Sequence, residues 1–312
     1  MTVRWSAQPE LRRPALVAAF SGWNDAGDAA TDSVRWLART FSAEPCASLD
    51  AEEYLDFQAA RPTVELVNGA IRTMRWPTLT FSAASVPGGS RDLVLLLGNE
   101  PNLHWRTFCE DVLTVADTLD CDMVVTLGAL LGDTPHSRPV RCTGSATDEV
   151  LSARLGMQRS RYQGPTGIVG VLHDAVRRAN YASASIWAPV PHYVASAPSP
   201  KATRALLDKL GDVLDLPFDL TDLDIAAAAW ERSVAEVVAG DSDVVTYVER
   251  LEQRYDESLH GNLEDEEDLD DEDAEEIEIE DDDDDWYDED DLPSGDSLAA
   301  DFERYLRDQP DE

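Results

Sequence analysis

A small set of side chains able to do acid/base, carboxylate or stacking chemistry falls in four short stretches of this 312-residue chain. Trp23, Asn24 and Asp25 lie in FSGWND, and Glu100, Asn102, His104 and Trp105 in GNEPNLHW. Asp133 and His136 lie in GALLGDTPHS, and His192 and Tyr193 in PVPHYV. Imidazoles titrate near neutral pH, so His104, His136 and His192 suit proton transfer. Asp25 and Glu100 offer a carboxylate pair, and Trp23, Trp105 and Tyr193 offer faces on which a planar ring can stack. Asp25, Glu100, His104 and His136 are therefore the candidate catalytic residues, and the wider set is a candidate ligand or partner surface. The first stretch has a structural alternative: Asp25 or Asn24 as a helix cap, Trp23 as a cover for the sheet edge.

The four stretches share a context. Ala15 to Phe20 is an unbroken apolar run, as expected of a strand buried on both faces, and Val34, Leu37, Ala38 and Phe41 then recur at helical spacing. The same strand-then-helix order returns at Leu93 to Leu97 with Trp105 to Leu119 and at Met123 to Leu127, the last expected to break at Gly128. Ser185 to Val190 is the last clear core strand. If these strands are parallel neighbours, their following loops share one rim of the sheet, where ligands bind in open α/β folds. Asn68-Gly69 between Val64–Val67 and Ala70–Trp76 predicts an antiparallel hairpin, so the sheet is expected to be mixed, with helices flanking it. Gly164, Gly167 and Gly170 open a helix, which leaves two readings: an anion held at its N-terminus, or close packing on the sheet.

Specific catalytic signatures are missing. The chain has no G-x-x-x-x-G-K-[ST], no G-x-G-x-x-G after a strand, no G-x-S-x-G and no H-E-x-x-H. No close ligand spacing supports a metal, and no cofactor is expected. The four cysteines (46, 109, 121 and 142) lie far apart and read as reduced, buried thiols. With no long apolar run the chain is expected to be cytoplasmic and to avoid membranes.

The net charge of -38 is unevenly spread. Leu263 to Asp291 holds 22 acidic residues among 29 and no Lys or Arg, whereas Met1 to Asn262 carries 35 acidic against 23 basic. Without a basic patch, nucleic acid is not an expected partner. Residues 1–220 read as the α/β core and residues 221–260 as a helical hairpin, from the repeats Leu223, Ala227, Trp230, Val234, Val237 and Val244, Val248, Leu251, Tyr255, Leu259. Thr221 with Asp224 and Ser242 are the expected caps. Residues 261–295 read as a disordered acidic linker. Residues 296–309 read as a short amphipathic helix with Leu298, Phe302, Tyr305 and Leu306 on one face, expected to dock onto its own chain or oligomer or onto a separate protein.

FSGWNDAGDAAT, LDAEEYLDFQAARP, LLLGNEPNLHW, TLGALLGDTPHSRP and GPTGIVGVL occur in this order between Leu11 and Leu259. Together they resemble the PAC2 family, named after proteasome assembly chaperone 2, in its actinobacterial branch. The resemblance implies a fold similar to purine nucleoside phosphorylases, a helical C-terminal addition, a homo-oligomer (a trimer by resemblance only) and a chaperone or adaptor role linked to the proteasome. Archaeal relatives end in a hydrophobic-Tyr-any tripeptide, whereas this chain ends Gln309-Pro310-Asp311-Glu312. Three readings follow: a protein-binding module, an enzyme or sensor taking a nucleoside-like or other small polar ligand in the rim, or an assembly whose rim builds subunit contacts.

Overall fold

In the computed structural model, which describes residues 3–67, 71–147, 151–152, 164–194 and 197–264, the chain runs β1 (Val3–Trp5), β2 (Ala15–Ser21), a 3₁₀ turn (Ala26–Asp28) and α1 (Ala29–Thr40). It continues with β3 (Glu44–Leu49), α2 (Ala51–Tyr54), β4 (Thr63–Val67), β5 (Ile71–Arg75), β6 (Leu79–Ala84), β7 (Leu93–Asn99) and α3 (Trp105–Thr118). Then follow β8 (Met123–Gly132), β9 (Thr143–Ala146), α4 (Ile168–Arg178), β10 (Ala182–Pro191), a 3₁₀ turn (His192–Val194) and α5 (Pro200–Leu214). A helical hairpin of α6 (Thr221–Val238) and α7 (Ser242–Glu264) comes last.

Eight strands form one mixed sheet in the order β1-β3-β6-β7-β2-β8-β10-β9. Parallel pairing joins the four central strands β7, β2, β8 and β10; the flanking pairs are antiparallel. Successive residues of a strand point to opposite faces. Val17, Leu95 and Leu127 therefore pack with Leu37 of α1 and Leu206 and Leu210 of α5. Leu16, Phe20 and Leu96 pack with Phe108 and Val112 of α3 and Leu172 of α4. Burial on both faces explains why β2 reads as an uninterrupted apolar run.

Several expectations are corrected. The strand beginning at Met123 does not break at Gly128 but pairs with β10 through Gly132. Gly128 is needed inside it because the Trp187 ring occupies the space of a side chain, a Cβ there lying 2.5 Å from the ring. The predicted hairpin pairs as expected, Val64 opposite Met74, yet stands apart as a two-stranded sheet; its Asn68-Gly69 turn lies outside the described residues. The antiparallel part of the main sheet comes instead from β1, β3, β6 and β9. Three elements went unread: β1, only three residues long, β3, whose EPCASL has no clear alternation, and α5. Ser199 Oγ accepts from the Ala202 N–H and Pro200 opens α5, a start signal that was legible.

The C-terminal hairpin packs on the core through Val234, Val238, Val248 and Leu251 against Tyr193 and Val194. Its caps differ from expectation. Asp219 accepts from both the N–H and the hydroxyl of Thr221, while Asp224 pairs with Arg204. Asp241, not Ser242, accepts from the Asp243 and Val244 N–H groups. The α7 helix extends to Glu264, past the residue 260 read as its end. The acidic stretch beyond it and Leu298, Phe302, Tyr305 and Leu306 lie outside the described residues.

Candidate functional site

Because β7, β2, β8 and β10 are parallel neighbours, the segments after all four emerge at the same sheet edge. Glu100 is the bolt at its centre. Its Oε1 accepts from the Asn24 amide at 2.7 Å and from the Ile168 N–H at 3.0 Å; its Oε2 accepts from the Trp23 N–H at 3.2 Å. Gly167, the N-cap position of α4, offers no side chain of its own. The Glu100 carboxylate therefore serves the orphan donor and positive end of α4. This decides between the two readings of the glycine series. A carboxylate of the chain itself takes the place an external anion would occupy, and Gly167 is required because a Cβ there would lie 2.0 Å from the Asn24 amide nitrogen.

Asp25 is a helix cap. Its Oδ1 accepts from the Ala30 and Thr31 N–H groups at 2.8 and 3.1 Å, and its Oδ2 accepts from the Thr31 hydroxyl at 2.5 Å. Burial raises its pKa above the usual carboxylate value, and the bonds from Thr31 and Ala30 offset only part of that. The Asn24 carbonyl accepts from the Ala129 N–H at 2.8 Å, so this loop is stitched to both neighbouring strands. Asn24 and Asp25 are buried, whereas Trp23 is left 68% exposed between them and solvent.

The remaining candidates do not converge on this centre. His104, at φ 52°, directs Nδ1 to the Glu53 carbonyl at 2.8 Å. Asn102 Oδ1 accepts from the Asp56 N–H, and Trp105 Nε1 donates to the Pro101 carbonyl. His104 and Asn102 tie the β7–α3 loop to the segment around α2, while Trp105 braces that loop on itself. On the other flank His136 is buried against Tyr193, whose hydroxyl lies 2.9 Å from Nδ1 and accepts from the His136 N–H at 2.8 Å. Burial, with the Lys201 ammonium, holds the His136 pKa below its usual value. Asp133 lies 2.6 Å from His192 Nε2, 3.4 Å from the Tyr247 hydroxyl and 3.6 Å from Arg254. Burial pushes its carboxyl up, but His192 and Arg254 outweigh that and hold it below the usual value. Lys201 binds both the His136 carbonyl and Glu231, and Arg138 grips Asp256. This group fastens the C-terminal hairpin to the rim. Among the described residues no three His, Cys, Asp or Glu side chains gather as metal ligands would.

A cleft of about 870 Å³ opens beside the central loop. Gly22 to Asp28 form one wall, Thr143, Ser145, Ser185 and Trp187 the sheet floor, and Thr166, Gly170 and His173 the α4 side, with Leu130 and Leu131 at the end of β8. Trp23, Leu130 and Leu131 are its exposed apolar residues, the last two 43% and 45% exposed. Neither His173 nor Trp187 is among the candidates read from the sequence. Ser145 Oγ lies 3.2 Å from His173 Nε2, while the buried Nδ1 has no hydrogen-bond partner among the described residues. Burial lowers the His173 pKa, aided by Arg177. The signal in sequence was one of register. Trp187 pairs with Thr143 and Ser185 with Ser145, so polar and aromatic side chains alternate onto one face at the sheet margin.

The four cysteines are free and buried, and burial pushes the thiols of Cys109, Cys121 and Cys142 up to about 12. Among the described residues no helix is long and apolar enough to cross a membrane.

The model of the PAC2 family matches residues 19–238. The solved structure of a proteasome-assembly chaperone homologue from Mycobacterium tuberculosis is 48% identical, covering 75% of this chain and 99% of its own, with a TM-score of 0.70. A PAC2 family protein from Streptomyces avermitilis is 47% identical over the same shares, with a TM-score of 0.68. An archaeal proteasome activator from Pyrococcus furiosus shares the fold at 17% identity, covering 76% of this chain and 98% of its own, with a TM-score of 0.61. No curated protein matches the chain.

Proposed function

The chain belongs to the PAC2 family, and from that premise we propose that it is a cytoplasmic protein-binding chaperone or adaptor linked to the proteasome, with the strand-end rim as its recognition surface. The observation that carries this reading is the division of labour at the rim. Asp25, Glu100, His104 and His136 each hold neighbouring backbone or side chains in place, while Trp23, Leu130 and Leu131 stand exposed around one opening. Rigid aromatic and aliphatic anchors on a fixed frame are what a protein interface uses for its central contacts. The 48% identical homologue is itself described as related to proteasome assembly chaperones, which directs the choice of partner.

The test is direct binding of the purified full-length protein to purified proteasome α-subunits and half-assembled particles by sedimentation velocity, which also reports whether the protein is a trimer or another oligomer. Trp23→Ala and Leu130→Ser/Leu131→Ser are expected to weaken the complex at least about tenfold, as loss of an anchor worth about 2 kcal/mol does. Absence of a complex, or one indifferent to these substitutions, overturns the assignment.

A second reading, a small polar ligand in the cleft, is favoured by His173 Nδ1, which has no hydrogen-bond partner among the described residues, beside Ser145 and Trp187. A ligand at about 100 times its Kd stabilises by about 2.7 kcal/mol. Thermal unfolding with nucleosides, nucleotides and phosphate is therefore the measurement. A shift abolished by His173→Ala supports this reading, and no shift removes it.

A further inference from the structure

The β4–β5 hairpin is a two-stranded sheet whose strands pair with no third strand among the described residues, and among those residues no backbone bond from outside the pair reaches β5. Two strands alone are marginal in water, whereas three or more with a shared apolar face are stable. The register places Val64 opposite Met74 and Leu66 opposite Arg72 on one face, and the same alternation carries Trp76, just past β5, onto it. Val64, Leu66, Met74 and Trp76 are 55%, 63%, 51% and 52% exposed. The other face carries Thr63 opposite Arg75 and Glu65 opposite Thr73, with Arg75 2.9 Å from Glu65. Leu79 at the start of β6 pairs with Gly98 near the end of β7, so the hairpin leaves the main sheet at the edge that carries the rim. The outer edge of β5 is a template for another strand.

We propose that the strand added there is β5 of a second copy of this chain, running antiparallel about a two-fold axis at Met74 and completing a four-stranded sheet. In such an isologous contact the same residues meet on both sides. Centred on Met74, residues 72–76 of the two copies overlap: Met74 faces Met74, Arg72 faces the second copy's Trp76, and Thr73 faces the second copy's Arg75. Pro77 offers no N–H and ends the overlap. Charge selects this register. The two Arg72 side chains stand four residues, about 13 Å, apart, each opposite an exposed indole whose face attracts a cation. The two Arg75 side chains are diagonal neighbours, but each is already neutralised by Glu65 of its own copy. Pairing two β4 edges over their full length would instead set Glu65 against Glu65, a like-charge pair, with Pro62 lacking a donor beside it. The apolar face then runs across all four strands, with Val64, Leu66 and Met74 from each copy. The pairing also carries two rims in one assembly.

Cross-linking of the full-length protein tests the axis. Residues directly opposite in an antiparallel pair have Cα atoms about 4.5–5.5 Å apart, within disulfide reach, whereas the two copies of Leu66 would stand three strands, about 14 Å, apart. The four native cysteines are buried. Under oxidised glutathione, Met74→Cys is therefore expected to form a disulfide-linked dimer at least about tenfold faster than Leu66→Cys, although Leu66 is the more exposed of the two. Five residues from each copy make a contact smaller than the about 1,200 Å² of lasting complexes, so association should depend on concentration. Sedimentation velocity over about 1–100 µM is expected to show the wild type doubling whatever unit the rest of the chain forms. Met74→Asp sets two carboxylates on the axis and should abolish the doubling, with thermal unfolding unchanged. Equal cross-linking rates at the two positions, no rise in mass with concentration, or doubling that survives Met74→Asp overturns the proposal.

Discussion

The Asn24 side-chain amide donates to the Glu100 carboxylate at 2.7 Å, joining the loop after β2 to the loop after β7, and the same carboxylate accepts from the first N–H of α4. Three elements distant in sequence thus share one acceptor. Glu100→Ala leaves the Trp23, Asn24 and Ile168 donors without it and is expected to cost about 2–3 kcal/mol, the scale of unsatisfied buried donors. Glu100→Gln keeps one acceptor oxygen for Asn24 and Ile168 and should cost less. Chemical denaturation measures both; an alanine variant within about 0.5 kcal/mol of wild type would show that the bolt bears no weight.

Gly167→Ala should disturb the same junction from the other side. Its Cβ would lie 2.0 Å from the Asn24 nitrogen, and overpacking of this kind costs about 1–3 kcal/mol. Asn24→Ala removes the clashing group along with its bond to Glu100, so the two substitutions are expected to be strongly non-additive. Additive losses in a double-mutant cycle would contradict the contact.

Asp25 separates capping from chemistry. Asp25→Ala strips the Ala30 and Thr31 N–H groups of their acceptor and leaves the Thr31 hydroxyl only the Asp28 carbonyl at 3.3 Å, and is expected to lose about 2 kcal/mol or more, whereas Asp25→Asn keeps an acceptor for the two N–H groups and should lose about 1 kcal/mol or less. Burial raises the folded pKa above the unfolded value. The contribution from that shift is therefore present at acid pH and fades as pH rises through the folded pKa. Wild type minus Asp25→Asn stability, followed across the acid range, should show that slope.

The opposite slope is expected from His136. Its folded pKa is depressed by burial and Lys201, so the unfolded chain takes up the proton first. Stability is then full above about pH 6.5 and declines as pH falls from there through the folded pKa. His173 shifts in the same direction and adds to the effect. Denaturation midpoints of wild type and His136→Gln should converge as pH drops; parallel curves would mean that His136 does not carry it.

Much of the fold was legible because its causes are local. Doubly buried strands produce continuous apolar runs such as Ala15–Phe20 and Leu93–Leu97, and helices packed on a sheet repeat at three and four, as Phe108, Val112 and Val115 do. Gly128 shows where local reading fails. A glycine after an apolar run looks like a strand end, but here it is a seat for Trp187 from the neighbouring strand, and no residue nearby in sequence records that.

The sequence by itself determined which strands open onto loops rich in ionisable and aromatic groups, the unequal charge of body and tail, and the family motifs, since each depends only on residue type and spacing. Tertiary structure alone decided how that rim is built. Strand order set four loops side by side, yet the directions of individual side chains sent His104 toward α2, His136 toward Tyr193 and Glu100 to the start of α4, and brought His173 and Trp187 to the cleft instead. Hydrogen-bond partners far apart in the chain are fixed by packing, and spacing along the chain holds no record of them.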